Sequence, residues 1–123
     1  TPIKSSAASD VYKRQKEDGI MVNQHQSPFY DEDRLETQKA HKRIVESFPI
    51  SRVYQAHIPS YPSGYWLFGF ASKKYHPVKD LKTKHWKNLD IQTRYYTTNL
   101  HKGCFALPAY VEQMLEDVEN IPD

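Results

Sequence analysis

SRVYQAHIPSYPSGYWLFGFAS, residues 51–72, decides how this chain folds. Two runs rich in aromatic and β-branched residues, Ser51 to Ile58 and Tyr65 to Ser72, are separated by PSYPSG, in which two prolines flank Tyr61 and Gly64 closes the turn. Aromatic and β-branched side chains suit the pleated surface of a sheet; proline presets φ, and glycine reaches the positive φ a tight connection needs. The two runs are expected to pair as an antiparallel hairpin. In the second run Trp66, Phe68 and Phe70 alternate with Tyr65, Leu67 and Ala71. Successive strand residues point to opposite faces, so both faces of this strand are apolar and both need cover. Such a strand belongs in a layered α/β sheet.

Upstream, Gly19-Ile-Met-Val-Asn-Gln24 is a short apolar run after a turn residue, as expected of a strand, and Ser27-Pro-Phe-Tyr30 interrupts it. Asp31, Glu32 and Asp33 then place negative charge where a helix N-terminus favours it, and Ala40, Ile44, Val45 and Phe48 fall on one helical stripe that ends at Pro49. Downstream, a basic stretch from Lys73 to Asn88 predicts a weak helix from about Val78 to Leu89, followed by a short extended segment, Thr93 to Thr97. Pro108 sits at a helix start, and Leu107, Val111, Met114, Leu115 and Val118 form a narrow apolar stripe.

Strand, helix, strand, tight connection, antiparallel strand and helices is the order in which many doubly wound sheets finish. Only four glycines occur, none in a glycine-rich loop, and no first βαβ unit precedes Asp18. The chain therefore reads as the back end of a larger domain, spanning residues 16–123. Residues 1–15, TPIKSSAASDVYKRQ, are small and polar without a usable period and read as a disordered tail. Within them, residues 10–15 resemble the peptide that one frame of a transposon-end sequencing adapter encodes, so the tail is set aside as an artefact of processing.

Composition bounds the function. Of 123 residues 38% are hydrophobic, below the ~45–50% of an average domain, yet 13% are aromatic, too many for a disordered polar chain. Seventeen Lys and Arg against fifteen Asp and Glu, interspersed, imply no polyanionic partner. Lys73, Lys74, Lys79, Lys82, Lys84 and Lys87 lie near Trp86 and Tyr75, but Asp80 and Asp90 break the series, which reads as a solvated face and not a nucleic-acid surface. A single cysteine excludes an internal disulfide, and no apolar stretch is long enough to span a membrane, so a reduced, cytoplasmic setting is expected. Six histidines (His25, His41, His57, His76, His85 and His101) lack metal-ligand spacing, so no metal is expected. Cys104, inside an apolar run, reads as a packed side chain.

Two segments have the makings of a site. PSYPSG serves either as a rigid strand connection or as a mount for Tyr61, whose hydroxyl can bond an amine while its ring covers an alkyl chain. Gln24 to Phe29 follows a strand end, the edge of an α/β sheet where ligands sit.

Four segments in order carry a family resemblance: Glu17-Asp-Gly-Ile20 through Gln26-Ser-Pro-Phe29; Phe48-Pro-Ile50 with Arg52-Val-Tyr54; Ser60-Tyr-Pro-Ser-Gly64 through Phe70-Ala-Ser-Lys73; and Arg94-Tyr-Tyr96 through His101 to Phe105-Ala-Leu-Pro108. Together, from about Lys16 to Glu116, they resemble the C-terminal part of spermidine synthases, the polyamine aminopropyltransferases. The resemblance implies the C-terminal half of a Rossmann-like, class I methyltransferase-type sheet ending in an antiparallel hairpin. It also implies transfer of an aminopropyl group from decarboxylated S-adenosylmethionine to putrescine, giving spermidine and methylthioadenosine, and a homodimer or higher homo-oligomer. By the same resemblance Tyr61, with Pro62 beside it, lines the polyamine pocket, and Gln26 stands at a position, often acidic in the family, that helps hold a substrate amine. As glutamine it accepts a hydrogen bond without supplying charge. The family's catalytic carboxylates and glycine-rich loop precede this stretch, so no catalytic residue is assigned and the chain alone is expected to be inactive. The alternatives are a related methyltransferase-like enzyme with another amine acceptor, and a small non-enzymatic binding module.

Overall fold

The computed structural model describes residues 7–116 and 118. Three strands, β1 (Ile20–Gln24), β2 (Ile50–His57) and β3 (Tyr65–Ser72), form one sheet in the order β1-β3-β2. β3 runs antiparallel to both neighbours, with Tyr65 opposite His57 on one side and Phe68 opposite Gln24 on the other. β1 and β2 are therefore parallel, and helix α2 (Asp31–Ser47) makes the crossover between them. The expected hairpin is present. The Ile58 N–H donates to the Gly64 carbonyl at 2.8 Å, and Ser63 and Gly64 both take left-handed φ, 68° and 71°. A Cβ on Gly64 would meet nothing within 4 Å, so glycine is favoured there by φ and not by space.

Paired residues share a face. Tyr65, Leu67 and Ala71 lie on the face that carries Val53 and Met21, and this face is packed by α1 (Ala7–Arg14), α2 and α5 (Ala109–Leu115). One cluster joins Val53, Tyr65 and Leu67 to Val111, Met114 and Leu115; a second joins Ala71 to Ala8, Ile44 and Phe48. Burying each large aliphatic side chain contributes roughly 1.5–3 kcal/mol relative to leaving it in water. Ile44 and Phe48 of the expected stripe are buried, whereas Ala40 and Val45 are only half-buried. The same helix also buries two polar residues one turn apart, Thr37 and His41.

The opposite face carries Trp66, Phe68, Phe70 and Tyr54, covered by α4 (Thr98–Gly103) and the chain around it. Phe105 lies against Tyr54 and Phe70, and α3 (Thr83–Leu89) adds Trp86 edge-on to Tyr96. The Tyr96 hydroxyl lies 2.7 Å from His101 Nδ1, and His101 Nε2 donates to the Pro77 carbonyl at 2.8 Å, which ties this layer together.

Three expectations are corrected. The helix placed from Val78 begins at Thr83, because residues 78–80 form a turn in which the N–H groups of Val78 and Lys79 donate to His76 Nδ1. Residues 93–97 form no strand; Thr97 instead caps α4, its hydroxyl accepting from the Leu100 N–H at 2.9 Å. From Ala7 onward the expected tail is helical, with Tyr12 edge-on to Phe48 and Lys73 Nζ donating to the Gln15 carbonyl at 2.8 Å. Residues 1–6 of that tail lie outside the described residues.

Candidate functional site

The ladder does not stop where β1 ends. The His25 N–H donates to the Leu67 carbonyl at 2.9 Å, and the Leu67 N–H donates to the Gln26 carbonyl at 3.2 Å. His25 and Gln26 thus both oppose Leu67, a β-bulge at which strict alternation ends. Gln24, opposite Phe68, faces the side of Trp66, while His25 turns the other way under α2. The Gln26 N–H also donates to Thr37 Oγ1 at 3.2 Å, so helix and sheet both grip this residue's backbone.

The β2–β3 connection is held against the same strand end. Ser27 and Ser63 share a hydroxyl hydrogen bond of 2.8 Å, and Trp66 Nε1 donates to the Pro62 carbonyl at 2.9 Å. Tyr61 stands edge-on to Trp66 with centroids 5.0 Å apart, and its hydroxyl reaches Gln24 Oε1 at 3.5 Å. Tyr61 and Pro62 are exposed and Gln26 is half-buried. Close by, burial pushes the Tyr65 phenol up to about 12, so it stays protonated and donates to Gln55 Oε1.

Tyr61 and Pro62 are thus brought to one corner with Gln24 and Trp66, and Gln26 adjoins it through its neighbour Ser27. Trp66 left only an indirect signal in the sequence, following the connection by two residues. The corner offers a phenol and the Gln24 amide carbonyl to ammonium N–H groups, with aromatic faces for an alkyl chain. None of these residues is a carboxylate, so they can hold a cationic amine but cannot take its proton.

A separate cavity of about 400 Å³ lies between the sheet and α4, walled by Ile20, Val22, Tyr54, Phe70, Leu100 and Phe105 among others. Cys104 borders it, but burial raises its thiol pKa and its Sγ–H donates to the His101 carbonyl at 3.1 Å. That leaves it a packed thiol and not a nucleophile. Among the described residues no group of three or more His, Cys, Asp or Glu is placed to hold a metal, and no helix is long and apolar enough to cross a membrane.

The spermine/spermidine synthase domain model matches residues 4–83. The chain belongs to that family. The match begins inside the segment expected to be a tail. The polyamine aminopropyltransferase of Agathobacter rectalis is 67% identical over 109 residues, 89% of this chain and 38% of the relative. That of Lachnospira eligens is 65% identical over 111 residues, 90% of this chain and 39% of the relative. Among solved structures, spermidine synthase from Thermotoga maritima superposes with a TM-score of 0.82 at 36% identity, over 89% of this chain and 38% of that one. A spermidine synthase in complex with the transition state analogue AdoDATO gives the same TM-score and identity. The chain thus spans about two fifths of the length of the relatives it matches. Its three strands are the C-terminal part of a Rossmann-like, class I methyltransferase-type sheet, with the antiparallel hairpin at its end.

Proposed function

We propose that the whole protein is a spermidine synthase, which transfers an aminopropyl group from decarboxylated S-adenosylmethionine to putrescine and releases spermidine and methylthioadenosine. The observation that supports this reading is the corner at the end of β1, where Gln24, Tyr61 and Trp66 meet in a chain whose relatives are polyamine aminopropyltransferases. In the reaction the amine loses a proton and its nitrogen attacks the carbon beside a sulfonium. A C–N bond forms, the C–S bond breaks, and the pair on sulfur leaves with methylthioadenosine. A protein accelerates this by orienting the two substrates and by offering a base. This corner supplies orientation. Tyr61 and Gln26 accept from the amine, and the rings of Tyr61 and Trp66 lie along the alkyl chain; the base comes from the remaining three fifths of the protein. Because Gln26 is neutral, the pocket holds the amine by hydrogen bonds at this point and not by charge.

The domain body in this reading is residues 16–123, with residues 1–15 an adapter-derived extension; matches of 109 to 111 residues leave room for it. The whole enzyme is a cytoplasmic homodimer or higher homo-oligomer that uses no metal and binds neither nucleic acid nor membrane. The test is an assay of the full-length protein encoded by the gene carrying this sequence, with putrescine and decarboxylated S-adenosylmethionine. Spermidine is expected from it and none from the 123-residue chain. Methyl transfer in place of aminopropyl transfer, or spermidine from the short chain, overturns the reading.

A further inference from the structure

The core-facing stripe of α2 is apolar at Ile44 but polar at Thr37 and His41, which are 1% and 0% exposed. Four residues apart, they share one helix face. Both reach the same place, the two residues beyond β1: Thr37 accepts from the Gln26 N–H, and His41 Nδ1 lies 3.2 Å from His25 Nε2. His25 is itself 3% exposed, and Asn23 Nδ2 lies 3.3 Å from its Nδ1. An amide NH₂ donates, so His25 accepts on Nδ1, carries its proton on Nε2 and donates it to His41 Nδ1. His41 then keeps its own proton on Nε2, a buried atom without a partner. β3 makes room for the chain, since a Cβ on Gly69 would lie 2.2 Å from Asn23 Oδ1 and 2.8 Å from His25 Nε2. Burial holds His25 at about 4, and burial together with the charge His25 would carry, and to a smaller extent the Arg52 charge, holds His41 at about 3, so both rings are neutral near pH 7.

An apolar pair of similar volume would fill this space without stranding His41 Nε2. What an apolar pair lacks is direction. His25 directly follows Gln24, the last residue of the regular ladder, so fixing its ring toward α2 fixes Gln24 toward Tyr61 on the opposite face. We propose that His25 and His41 are positioning residues, a neutral hydrogen-bonded pair whose task is to hold Gln24 in register with Tyr61 and Trp66 for an amine substrate. This deepens the spermidine synthase reading and rests on it.

The experiment compares His41→Asn, whose amide oxygen can replace Nδ1 as acceptor, with His41→Leu in the full-length protein, using putrescine as the varied substrate. His41→Leu is expected to raise the KM for putrescine about tenfold, the scale of one lost directed contact, with the KM for decarboxylated S-adenosylmethionine nearly unchanged. His41→Asn should recover most of it. Equal losses for both substrates, or no recovery with asparagine, would mean a purely structural pair and overturn the proposal. If His41→Leu does not fold, His41→Gln, which keeps polarity but misplaces the acceptor, takes its place. Nitrogen-15 spectra of the imidazoles provide a readout without turnover: each ring should be neutral at pH 7 with its proton on Nε2. Such spectra with no spermidine formed would sink the enzyme reading, and the proposal with it, while leaving the pair itself in place. Charged or tautomerically mixed rings would sink the pair whatever the activity.

Discussion

The two faces of β3 carry similar apolar surface but are covered differently. On one, Leu67 and Ala71 are 0% exposed under helices drawn from both ends of the chain. On the other, Trp66 and Phe68 remain half-buried, and beside them Val22 is 58% exposed along the wall of a 400 Å³ cavity. Apolarity alone thus does not say how well a face is packed. The first face is closed by three helices, α2 and α5 with apolar stripes and α1 with Ala8; the second is covered by a six-residue helix and its flanking chain. The closed face is also where the chain buries histidines, and the more open face is where Gln24, Tyr61 and Trp66 meet.

The largest expected effect comes from acid. Unfolded histidines titrate near 6.5, whereas His25 and His41 are lowered to about 4 and about 3. Above pH 6.5 their contribution to stability is fully present. As pH falls below it the unfolded chain binds protons that the folded one refuses, and stability drops by up to ~1.4 kcal/mol per pH unit for each ring until the folded values are reached. Urea unfolding between pH 7 and pH 4 measures this, and a flat profile would remove the buried pair from the closed face.

Next comes truncation on the two faces. Leu67→Ala is expected to cost about 2.7–5 kcal/mol, because the cavity it leaves is walled by packed side chains. Phe68→Ala, at a half-buried position, is expected to cost less than half of that. Equal losses in urea midpoint would show that the second face is as fully covered as the first.

The smallest effects concern glycine. Gly69→Ala must displace Asn23 or His25, and a cost of roughly 1–3 kcal/mol is expected, with perturbed imidazole resonances. Gly103→Ala meets nothing within 4 Å and, at the end of α4, should gain about 0.4–1 kcal/mol instead. A neutral Gly69→Ala would mean that the histidine chain sits more loosely than its distances indicate.

Much of this was legible in the residues, for local reasons. The hairpin follows from alternation and from proline and glycine at the turn; α2 and α5 follow from their apolar stripes and from Pro49 and Pro108. Tyr61, Pro62 and Gln26 were named by family resemblance, and the fold sets Tyr61 and Pro62 against Gln24 and Trp66. α1 and α4 were not legible. One is an eight-residue polar helix whose few apolar contacts are with residues far along the chain; the other is six residues long and announced only by the Thr97 cap.

Alternation, turn chemistry and helical stripes act over a few residues, so the sequence by itself determined the three strands, the helices α2 and α5, and that β2 and β3 pair. That β3 lies between β1 and β2, that His25 meets a histidine sixteen residues away, and that Ser27 bonds Ser63 across thirty-six were decided by tertiary structure alone. Those contacts exist only once the sheet order and the seat of α2 are set, and both follow from packing the whole closed face together and not from any one segment's preference.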